Sequence, residues 1–393
     1  MTEEEMIAYQ GSVISRILDA PFEEAIRIYA SNFQFLQEYS FILPHSDGMN
    51  YVQKFRELNL ADMDVIHFFG SETLYCLNST SFMSIMCEED YELLIASLVS
   101  LDTQIQSYLY RYYLDKTSRV PENISEIKKI IRSHMCLIDG LAYTFENALF
   151  NPDFLTTQIC KDNAFALETY FFDDKKEAAA YADYLLCVDD RLFHDKFSDW
   201  LRHQYLLYYL ELLVMTDLQL NSKNLSLDQK ELRFVQYFHE VVHIVSDREV
   251  NLAILFFKYG TDIKFFGKIQ KGKRDIVQNL KNMAWDIFHL RNTFNNLAII
   301  PPKADFIIPF FITYDQRLKD IVPIYKLKSA AFIKNTSIKH LNFLTDLMSP
   351  SIKHDYFTHK AYMERQKWVK DETEQSIIAK LRMEIEKYEK VLG

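Results

Sequence analysis

PFFITYDQRL, residues 309–318, is the stretch of the sequence that most constrains the fold. Its apolar, β-prone half ends abruptly in Thr313-Tyr314-Asp315, and a polar turn follows. A buried strand of this kind is typical of a parallel sheet, whose sites lie at the carboxyl ends of the strands. The pattern therefore places Asp315 at such an end, either as a catalytic carboxylate or as the cap of the following turn.

The composition of the 393-residue chain predicts a large, mainly helical core. Hydrophobic residues make up 49% and aromatic residues 15%, while only 8 glycines and 9 prolines occur. Glycine and proline are common turn residues, so their scarcity favours long helices with few connections. The formal net charge of −11 excludes a generic nucleic-acid coat, and any site for a polyanion must be a local basic patch.

The cysteines and the apolar segments predict a cytoplasmic protein without a membrane partner. The five cysteines form no C-x-x-C pair, which is typical of reduced thiols and excludes a structural zinc knuckle. The first five residues, MTEEE, are acidic, unlike those of a signal peptide. The apolar stretch from Tyr205 to Met215 is interrupted by Glu211 and is too short to span a bilayer.

Hydrophobic periodicity divides the chain into three predicted regions. Residues 1–132 form a helical domain that includes one long helix over 88–115. Residues 133–330 form a small α/β domain with a helical insertion at about 160–225. Residues 331–393 are helical and end in a long helix. The predicted fold class is therefore mainly α with a small α/β core.

Short apolar runs predict the strands of that core at 135–139, 306–312 and 321–327. The first run, MCLID, ends in Asp139 and is followed at once by a helical pattern. Two helices joined by a tight turn at Gly140 are the alternative, since short apolar runs are ambiguous between helix and strand.

Two further acids stand in helical patterns between these runs. Glu249 lies in the first turn of a predicted helix that begins with a capping box at Ser246. Asp286 lies within the helical segment WDIFHLR, residues 285–291. Acids from different elements that meet at the end of a strand can hold Mg²⁺ or Mn²⁺.

These acids resemble the motifs of the PIN-domain family of metal-dependent ribonucleases. Members of this family have a strand that ends in Asp, a Glu near the start of a later helix, a helix-borne Asp, and a final Thr/Ser-x-Asp after a strand. The resemblance covers roughly residues 134–330. The matching residues are Asp139, Glu249, Asp286, Thr313 and Asp315.

The resemblance implies catalytic roles for these five residues. It also implies that Asp139, Asp286 and Asp315 hold Mg²⁺ or Mn²⁺, which activates water for attack on an RNA phosphate. The interval from Asp139 to Asp286 is longer than is usual for the family and requires the helical insertion. Asp64 is the alternative for the first acid.

A basic segment between the Glu249 and Asp286 helices is the candidate substrate-binding loop. With Phe265 and Phe266 among them, its five cations can contact phosphates beside the acids. A solubilising turn is the alternative. The cations are Lys264, Lys268, Lys271, Lys273 and Arg274.

A second catalytic pattern is H-E-x-x-H at residues 239–243. On a continuous helix His239 and His243 would share one face and bind Zn²⁺, with Glu240 activating the bound water. This pattern is similar to that of the zincin metallopeptidases, and Asp286 or His289 would be the third ligand. Ordinary histidines on a helix are the alternative.

Three functions follow from these patterns. The first is a metal-dependent nuclease that hydrolyses RNA or single-stranded DNA, and family association adds a role as a toxin or antiviral effector. The second is a zinc peptidase that uses residues 239–243. The third is a non-catalytic helical interaction protein. The expected partners are RNA or another single-stranded nucleic acid, and a second copy of the chain or a regulatory protein.

Overall fold

The apolar run that ends in Thr313 forms strand β6 (Phe306–Thr313), and all of its residues are buried. A proline inside a strand removes one hydrogen-bond donor from the ladder. Pro309 pairs with Leu98 on one side, while the partner on the other side pairs only with residues 310–313. Pro309 therefore lies one residue outside that second ladder, which explains how a central strand accommodates it.

The computed structural model describes residues 3–56, 63–114, 116, 120–127, 129, 136–169, 172, 174–194, 196–270, 275–301, 303–370 and 372–393. Helices account for most of these residues. The α-helices are α1 (Glu3–Asp19), α2 (Phe22–Ser31), α3 (Phe33–Leu36), α4 (Gln53–Arg56), α5 (Ser79–Cys87), α6 (Thr103–Tyr113), α7 (Leu141–Ala148), α8 (Gln158–Glu168), α9 (Lys175–His194), α10 (Lys196–Asn221), α11 (Leu227–Tyr237), α12 (Asp247–Tyr259), α13 (Ile276–Thr293), α14 (Val322–Tyr325), α15 (Pro350–Tyr356), α16 (His359–Val369) and α17 (Glu374–Leu392).

The strands form two four-stranded sheets. The first sheet is antiparallel with strand order β3-β1-β7-β8, and the second has the order β2-β6-β4-β5. In the second sheet β6, β4 and β5 are parallel and β2 runs antiparallel to β6. The remaining strands are β1 (Tyr39–Asn50), β2 (Asp64–His67), β3 (Thr73–Leu77), β4 (Ile95–Leu101), β5 (Cys136–Asp139), β7 (Leu327–Ile333) and β8 (Lys339–Phe343).

Helix α10 is the centre of the helical part. It is apolar on nearly all sides, which is typical of a helix surrounded by others, and it packs against α12, α13 and α17. Helix α13 also contacts β6, so it lies between the helical part and the second sheet. A smaller core joins α1 and α2 to the first sheet through residues such as Ile17, Tyr29 and Phe41.

Several predictions are confirmed. The fold is mainly α with a small α/β core, β5 and β6 occupy two of the predicted strand runs, and α17 is the predicted long C-terminal helix. The predicted insertion at about 160–225 is helical, because it is built from α8, α9 and α10.

The single helix predicted over 88–115 is wrong. Glu88 adopts a left-handed conformation (φ 57°) at the end of α5, and residues 95–101 form β4. Apolar residues in this run also fit a helical spacing, but pairing with β5 and β6 on both sides makes it a central strand. The description of residues 1–132 as a helical domain is wrong for the same reason, since β1–β4 lie within it and pair with strands from later regions.

Two predictions near the third region are also wrong. Residues 322–325 form the short helix α14, with Pro323 in its first turn, and the strand begins only at Leu327. Residues 339–343 form β8, so the chain is not helical throughout 331–393. Pairing of β7 with β1 and β8 removes the predicted boundary at 330.

Burial of β6 generates a test of the fold. Ile308 is fully buried, so we expect Ile308→Ala to lower the free energy of unfolding by about 2–5 kcal/mol through lost packing and a cavity. Ile299, which is 59% exposed, provides the matched control. Ile299→Ala should change the free energy of unfolding by less than about 0.5 kcal/mol. Urea unfolding measures both, and equal losses would contradict the central position of β6.

Candidate functional site

Carboxylates from four strands lie along one edge of the second sheet. Because β4, β5 and β6 are parallel, their carboxyl ends meet at the same edge, with Asp102 after β4, Asp139 ending β5 and Asp315 after β6. Strand β2 is antiparallel, so its first residue, Asp64, pairs with Thr313 at this edge. The topology therefore builds an acidic edge from residues far apart in the sequence.

The Thr313 side chain joins the ends of β4 and β6. Its fully buried hydroxyl donates to Asp102 Oδ2 at 2.6 Å and accepts from the Asp315 amide at 2.9 Å. The Asp102 amide also donates to the Ile312 carbonyl oxygen at 3.0 Å. The threonine of the Thr-x-Asp pattern thus fixes Asp102 and Asp315 relative to each other. The sequence patterns did not predict Asp102.

Asp102 also begins α6. Its carboxylate accepts a hydrogen bond from the Gln104 amide at 3.3 Å, as expected of an N-cap. Burial raises the pKa of Asp102 and nearby Glu146 adds to this, while the bond from Thr313 and the charge of His289 oppose it. Asp102 is therefore a half-buried acid that other charged groups surround.

Asp286 reaches the same cluster from α13. Burial raises the pKa of Asp286 well above its usual range, and the charges of Asp102, Asp315 and Glu146 raise it further, against the effect of Arg317. Within the described residues no hydrogen bond or ion pair to the Asp286 carboxyl group occurs. These four acids, Asp102, Glu146, Asp286 and Asp315, are here called the acid cluster. Burial together with mutual repulsion holds Asp286 toward its protonated form.

Asp315 is paired with a cation from its own turn. Arg317 contacts both carboxylate oxygens of Asp315 through its guanidinium group, and the Arg317 amide donates to Asp315 Oδ1 at 2.9 Å. Burial opposes ionisation, but the bonds from Arg317 and the nearby charge of Lys268 lower the pKa of Asp315. Asp315 therefore caps the turn at 316–320, as the alternative predicted, and also belongs to the acid cluster.

Glu146 and His289 form the far side of the acid cluster. The buried His289 places Nε2 3.9 Å from Glu146 Oε2, which is an ion-pair distance and too long for a hydrogen bond. Burial raises the pKa of Glu146, but the effects of His289 and Thr103 exceed it, so the pKa is lowered overall. Glu146 was not predicted, since nothing in its helical segment distinguishes it from a solvent-facing acid.

A sequence signal for Asp102 did exist. The run IASLVSL at residues 95–101 is apolar and is followed by Asp102 and a helical pattern, much like the run that ends in Asp139. The signal was missed because the same residues were assigned to one long helix.

Asp139 stands at the predicted sheet edge but has its own partners. Its carboxylate accepts from the Ser100 hydroxyl at 2.8 Å, the Asn296 amide group at 3.2 Å and the Leu141 amide at 2.9 Å. These bonds fix the start of α7 against β4.

Glu249 lies in a different polar network, so the prediction that it joins Asp286 and Asp315 is not met. Its carboxylate accepts from the hydroxyls of Ser246 and of Tyr325, the latter at 3.3 Å, and lies 3.8 Å from Arg291 Nε. The side chain is fully buried. Burial against a neighbouring arginine gives this acid a structural role.

The basic segment is described only in part. Lys268 is exposed, and its charge lowers the pKa of Asp315, which places it beside the acid cluster. The exposed Lys264 is held through its amide by Asp320 at 2.7 Å. Phe265 and Phe266 are fully buried, so they anchor the segment and are closed to bases. Lys271, Lys273 and Arg274 lie outside the described residues.

The H-E-x-x-H segment does not form the expected helical face. Residues 238–242 make a π-turn, and His243 ends it in a left-handed conformation (φ 63°). His243 Nδ1 lies 2.9 Å from the His239 carbonyl oxygen and its ring stacks on Trp368. Since His243 leaves the helix, the shared face needed for the predicted zinc site with Glu240 is not formed.

In the part of the chain that the structure describes, no three His, Cys, Asp or Glu side chains are arranged to hold a metal ion as they stand. The acid cluster nevertheless offers oxygen donors only, which suit Mg²⁺ or Mn²⁺, and Arg317 supplies the positive charge there. Binding of an ion would require Asp315 to turn from Arg317. As the side chains stand, the acids do not form a complete metal site, and it is the chemistry of their oxygen donors that matches a hard divalent cation.

Comparisons of the chain with protein-family models, curated proteins and solved structures find no match. Among the described helices, none has the length and the apolar character needed to cross a bilayer.

The raised pKa of Asp286 generates a test of the acid cluster. Above the ordinary pKa of an aspartate, the Asp286 carboxyl group keeps its proton in the folded protein and loses it in the unfolded chain, so Asp286 makes stability fall as the pH rises toward its folded pKa. We expect Asp286→Asn to be more stable than the wild type at neutral pH in EDTA, with a flatter pH dependence. Urea unfolding at several pH values measures this.

The exposed Asp183 on α9 provides the control. Asp183→Asn should follow the wild-type pH profile. If Asp286→Asn loses stability equally at every pH, the carboxylate makes a stabilising contact, and the combined effect of burial and repulsion on its pKa is not its dominant feature.

Proposed function

We propose that the protein is a metal-dependent nuclease that hydrolyses RNA or single-stranded DNA with Mg²⁺ or Mn²⁺. The observation that supports this most is the meeting of Asp102, Asp286 and Asp315 at the carboxyl edge of two parallel strands. Clustered acids with perturbed pKa values are typical of sites that act on phosphate esters through a divalent cation.

The acids would act by holding the cation. Asp102, Asp286 and Asp315 are the proposed ligands, and Glu146 adds negative charge behind them. When bound, the ion supplies a water of lowered pKa for attack on phosphorus. Neutralising the mutual repulsion would also favour the ionised form of Asp286, so the acids and the cation depend on each other.

Other side chains of the site have positioning roles in this proposal. Thr313 fixes Asp102 and the Asp315 backbone through its two hydrogen bonds. Arg317, once Asp315 turns to the cation, would be free to pair with a phosphate oxygen of the substrate. His289 beside Glu146 can hold or move a proton at Nε2.

The resemblance to PIN-domain ribonucleases supports the same proposal, with one change. Asp102 takes the place that sequence reasoning gave to Asp139, because it follows a central parallel strand and contacts Thr313. By association with that family, we further propose a role as a toxin or antiviral effector whose activity a regulatory protein or self-association controls.

Loss of an acid is the direct test. We expect Asp102→Asn and Asp286→Asn each to reduce Mg²⁺- or Mn²⁺-dependent cleavage of single-stranded RNA by about 100-fold or more, the scale of losing one group that stabilises a transition state. Isothermal titration with Mn²⁺ should show weaker binding in both variants, which links the loss of activity to the metal.

Two variants serve as controls for this experiment. Asp183→Asn, on an exposed face of α9, should cleave as the wild type does. Asp139→Asn separates the two candidates for the first acid, because the present partners of Asp139 are hydrogen-bond donors, the Ser100 hydroxyl in β4 and the Leu141 amide at the start of α7. Normal cleavage by both Asp102→Asn and Asp286→Asn would remove the nuclease proposal and favour an interaction protein.

The basic segment predicts how RNA binding depends on salt. Lys268 is exposed beside Asp315, so we expect Lys268→Gln to weaken RNA binding and to reduce the slope of log K against log salt by about 0.7, the value for one phosphate contact on a single strand. Binding is measured in EDTA to prevent cleavage. Lys223→Gln, in the exposed turn after α10, should leave the slope unchanged.

A further inference from the structure

A cleft of about 460 Å³ lies beside helix α10, on the side of helix α13 that carries Arg291. Arg291 follows Asp286 by five residues, so the two side chains point about 140° apart around the helix axis. The volume lies within the range of about 300–1,000 Å³ that small-molecule sites occupy. The lining includes no residue of the acid cluster, so the cleft is separate from the proposed nuclease site.

Two arginines from different helices line the cleft, Arg291 from α13 and Arg365 from α16. Arg291 Nε lies 3.8 Å from the carboxylate of the fully buried Glu249, so part of its charge is balanced within the protein. The Tyr208 hydroxyl also interacts with Arg291. These contacts hold the guanidinium group in place, and a preorganised arginine loses little side-chain entropy when it binds an anion.

Arg365 is the cation whose charge the surrounding protein does not balance. It is buried, and its Nη1 donates to the Tyr356 carbonyl oxygen at 2.7 Å and lies 3.4 Å from His239 Nδ1. Among the described residues, no Asp or Glu carboxylate lies within 4.0 Å of its guanidinium group. Burial lowers the pKa of Arg365, and burial together with the charge of Arg365 lowers the pKa of His239.

An unbalanced buried cation costs free energy, because buried charges in proteins are normally paired. A guanidinium group has five N–H donors, and the Tyr356 carbonyl and the neutral His239 ring each accept from Nη1 alone. An anion in the cleft would supply the missing negative charge and accept from the other donors of Arg365. The cleft is therefore suited to an anionic ligand.

The start of helix α12 adds a further attraction for an anion. Ser246 and Asp247, its first residues, line the cleft. The Ser246 hydroxyl donates to the Glu249 carboxylate and does not cap the helix, and the first amides of a helix have no partner within it. The Asp247 carboxylate lies 3.1 Å from Arg248 Nη2, so its own charge is balanced by a neighbour.

Apolar side chains complete the lining. Leu207 comes from α10, Ile244 and Val245 precede α12, and Phe357 and Tyr362 come from the turn before α16 and from α16 itself. A matching ligand has an anionic group at one end and an apolar body at the other. Phosphate suits the anionic end best, because its three terminal oxygens can accept from both arginines and from the start of α12 at once.

We propose that this cleft binds a small organic phosphate monoester, with its phosphate paired to Arg365 and Arg291 and its apolar body against Phe357 and Tyr362. The site adds a binding function to the chain that is independent of the proposed nuclease activity.

Titration calorimetry on the full chain in EDTA tests the proposal with phenyl phosphate, inorganic phosphate and benzoate. We expect phenyl phosphate to bind at least about 10-fold more tightly than inorganic phosphate, because only the ester has a ring to bury against the apolar lining. It should also bind at least about 10-fold more tightly than benzoate, which has the same ring but a smaller charge and fewer acceptor oxygens.

Substitution of the unbalanced cation locates the site. Arg365→Gln should weaken the binding of phenyl phosphate by about 10-fold or more, because it removes the charge that pairs with the phosphate. Arg365→Lys keeps a positive charge without the planar fork and should lose less affinity. Arg382→Gln, at an exposed position of α17, is the matched control and should bind as the wild type does. Circular dichroism confirms that each variant is folded.

Tyr362→Ala gives a test that does not depend on a buried residue, since Tyr362 is 50% exposed. It should weaken the binding of phenyl phosphate by about 3-fold or more and leave that of inorganic phosphate unchanged. Equal affinity for phenyl phosphate and either of the other ligands would overturn the proposal. So would unchanged affinity in Arg365→Gln, or no binding of phenyl phosphate at millimolar concentration. None of these results depends on whether the acid cluster hydrolyses RNA.

Discussion

The parallel pairing of β4 with β6 is the contact on which the rest of the structure depends. It is made between two buried apolar strands, so its position is fixed by the hydrophobic core. The pairing brings Asp102 and Asp315 to one edge although they are far apart in the sequence. The buried Thr313 hydroxyl then bonds to both residues, and a shift of one residue in the register would remove this bridge. The acid cluster is therefore a consequence of how the sheet is packed.

Helix α13 carries charged side chains on two of its sides. On one side Asp286 meets other acids, and on another Arg291 meets Glu249. Asp286 is half-buried and Glu249 is fully buried, but only Glu249 accepts hydrogen bonds from two hydroxyl donors and lies 3.8 Å from an arginine side chain. A buried acid with partners stabilises its surroundings, whereas a buried acid among other acids requires a proton or a cation. By this criterion Glu249 is a structural carboxylate and Asp286 is a candidate metal ligand.

Local sequence patterns predicted some of these features correctly and others incorrectly. The strand before Asp315 and the helix that carries Asp286 were predictable, because long apolar runs and helical periodicity are local signals. Asp102 was hidden because its strand also fits a helical spacing, and pairing with two neighbours decided between them. The H-E-x-x-H pattern assumed an unbroken helix, and the left-handed conformation of His243 removed the shared face. A spacing rule holds only where the backbone continues as the rule assumes.

The sequence by itself determined the mainly helical composition, the buried strand that ends in Thr313 and the placement of Asp315 after it. These follow from side-chain chemistry and periodicity along neighbouring residues. The tertiary structure alone decided which acids meet. Thr313 and Arg317 are neighbours of Asp315 in the sequence, whereas Asp102 and Asp286 are remote in the sequence and come close to it only in the folded chain. It also decided that Glu249 supports Arg291 and that Asp139 fixes a helix start. Charge interactions act across space and not along the chain, so a linear pattern can nominate a carboxylate but only the packing can supply its neighbours.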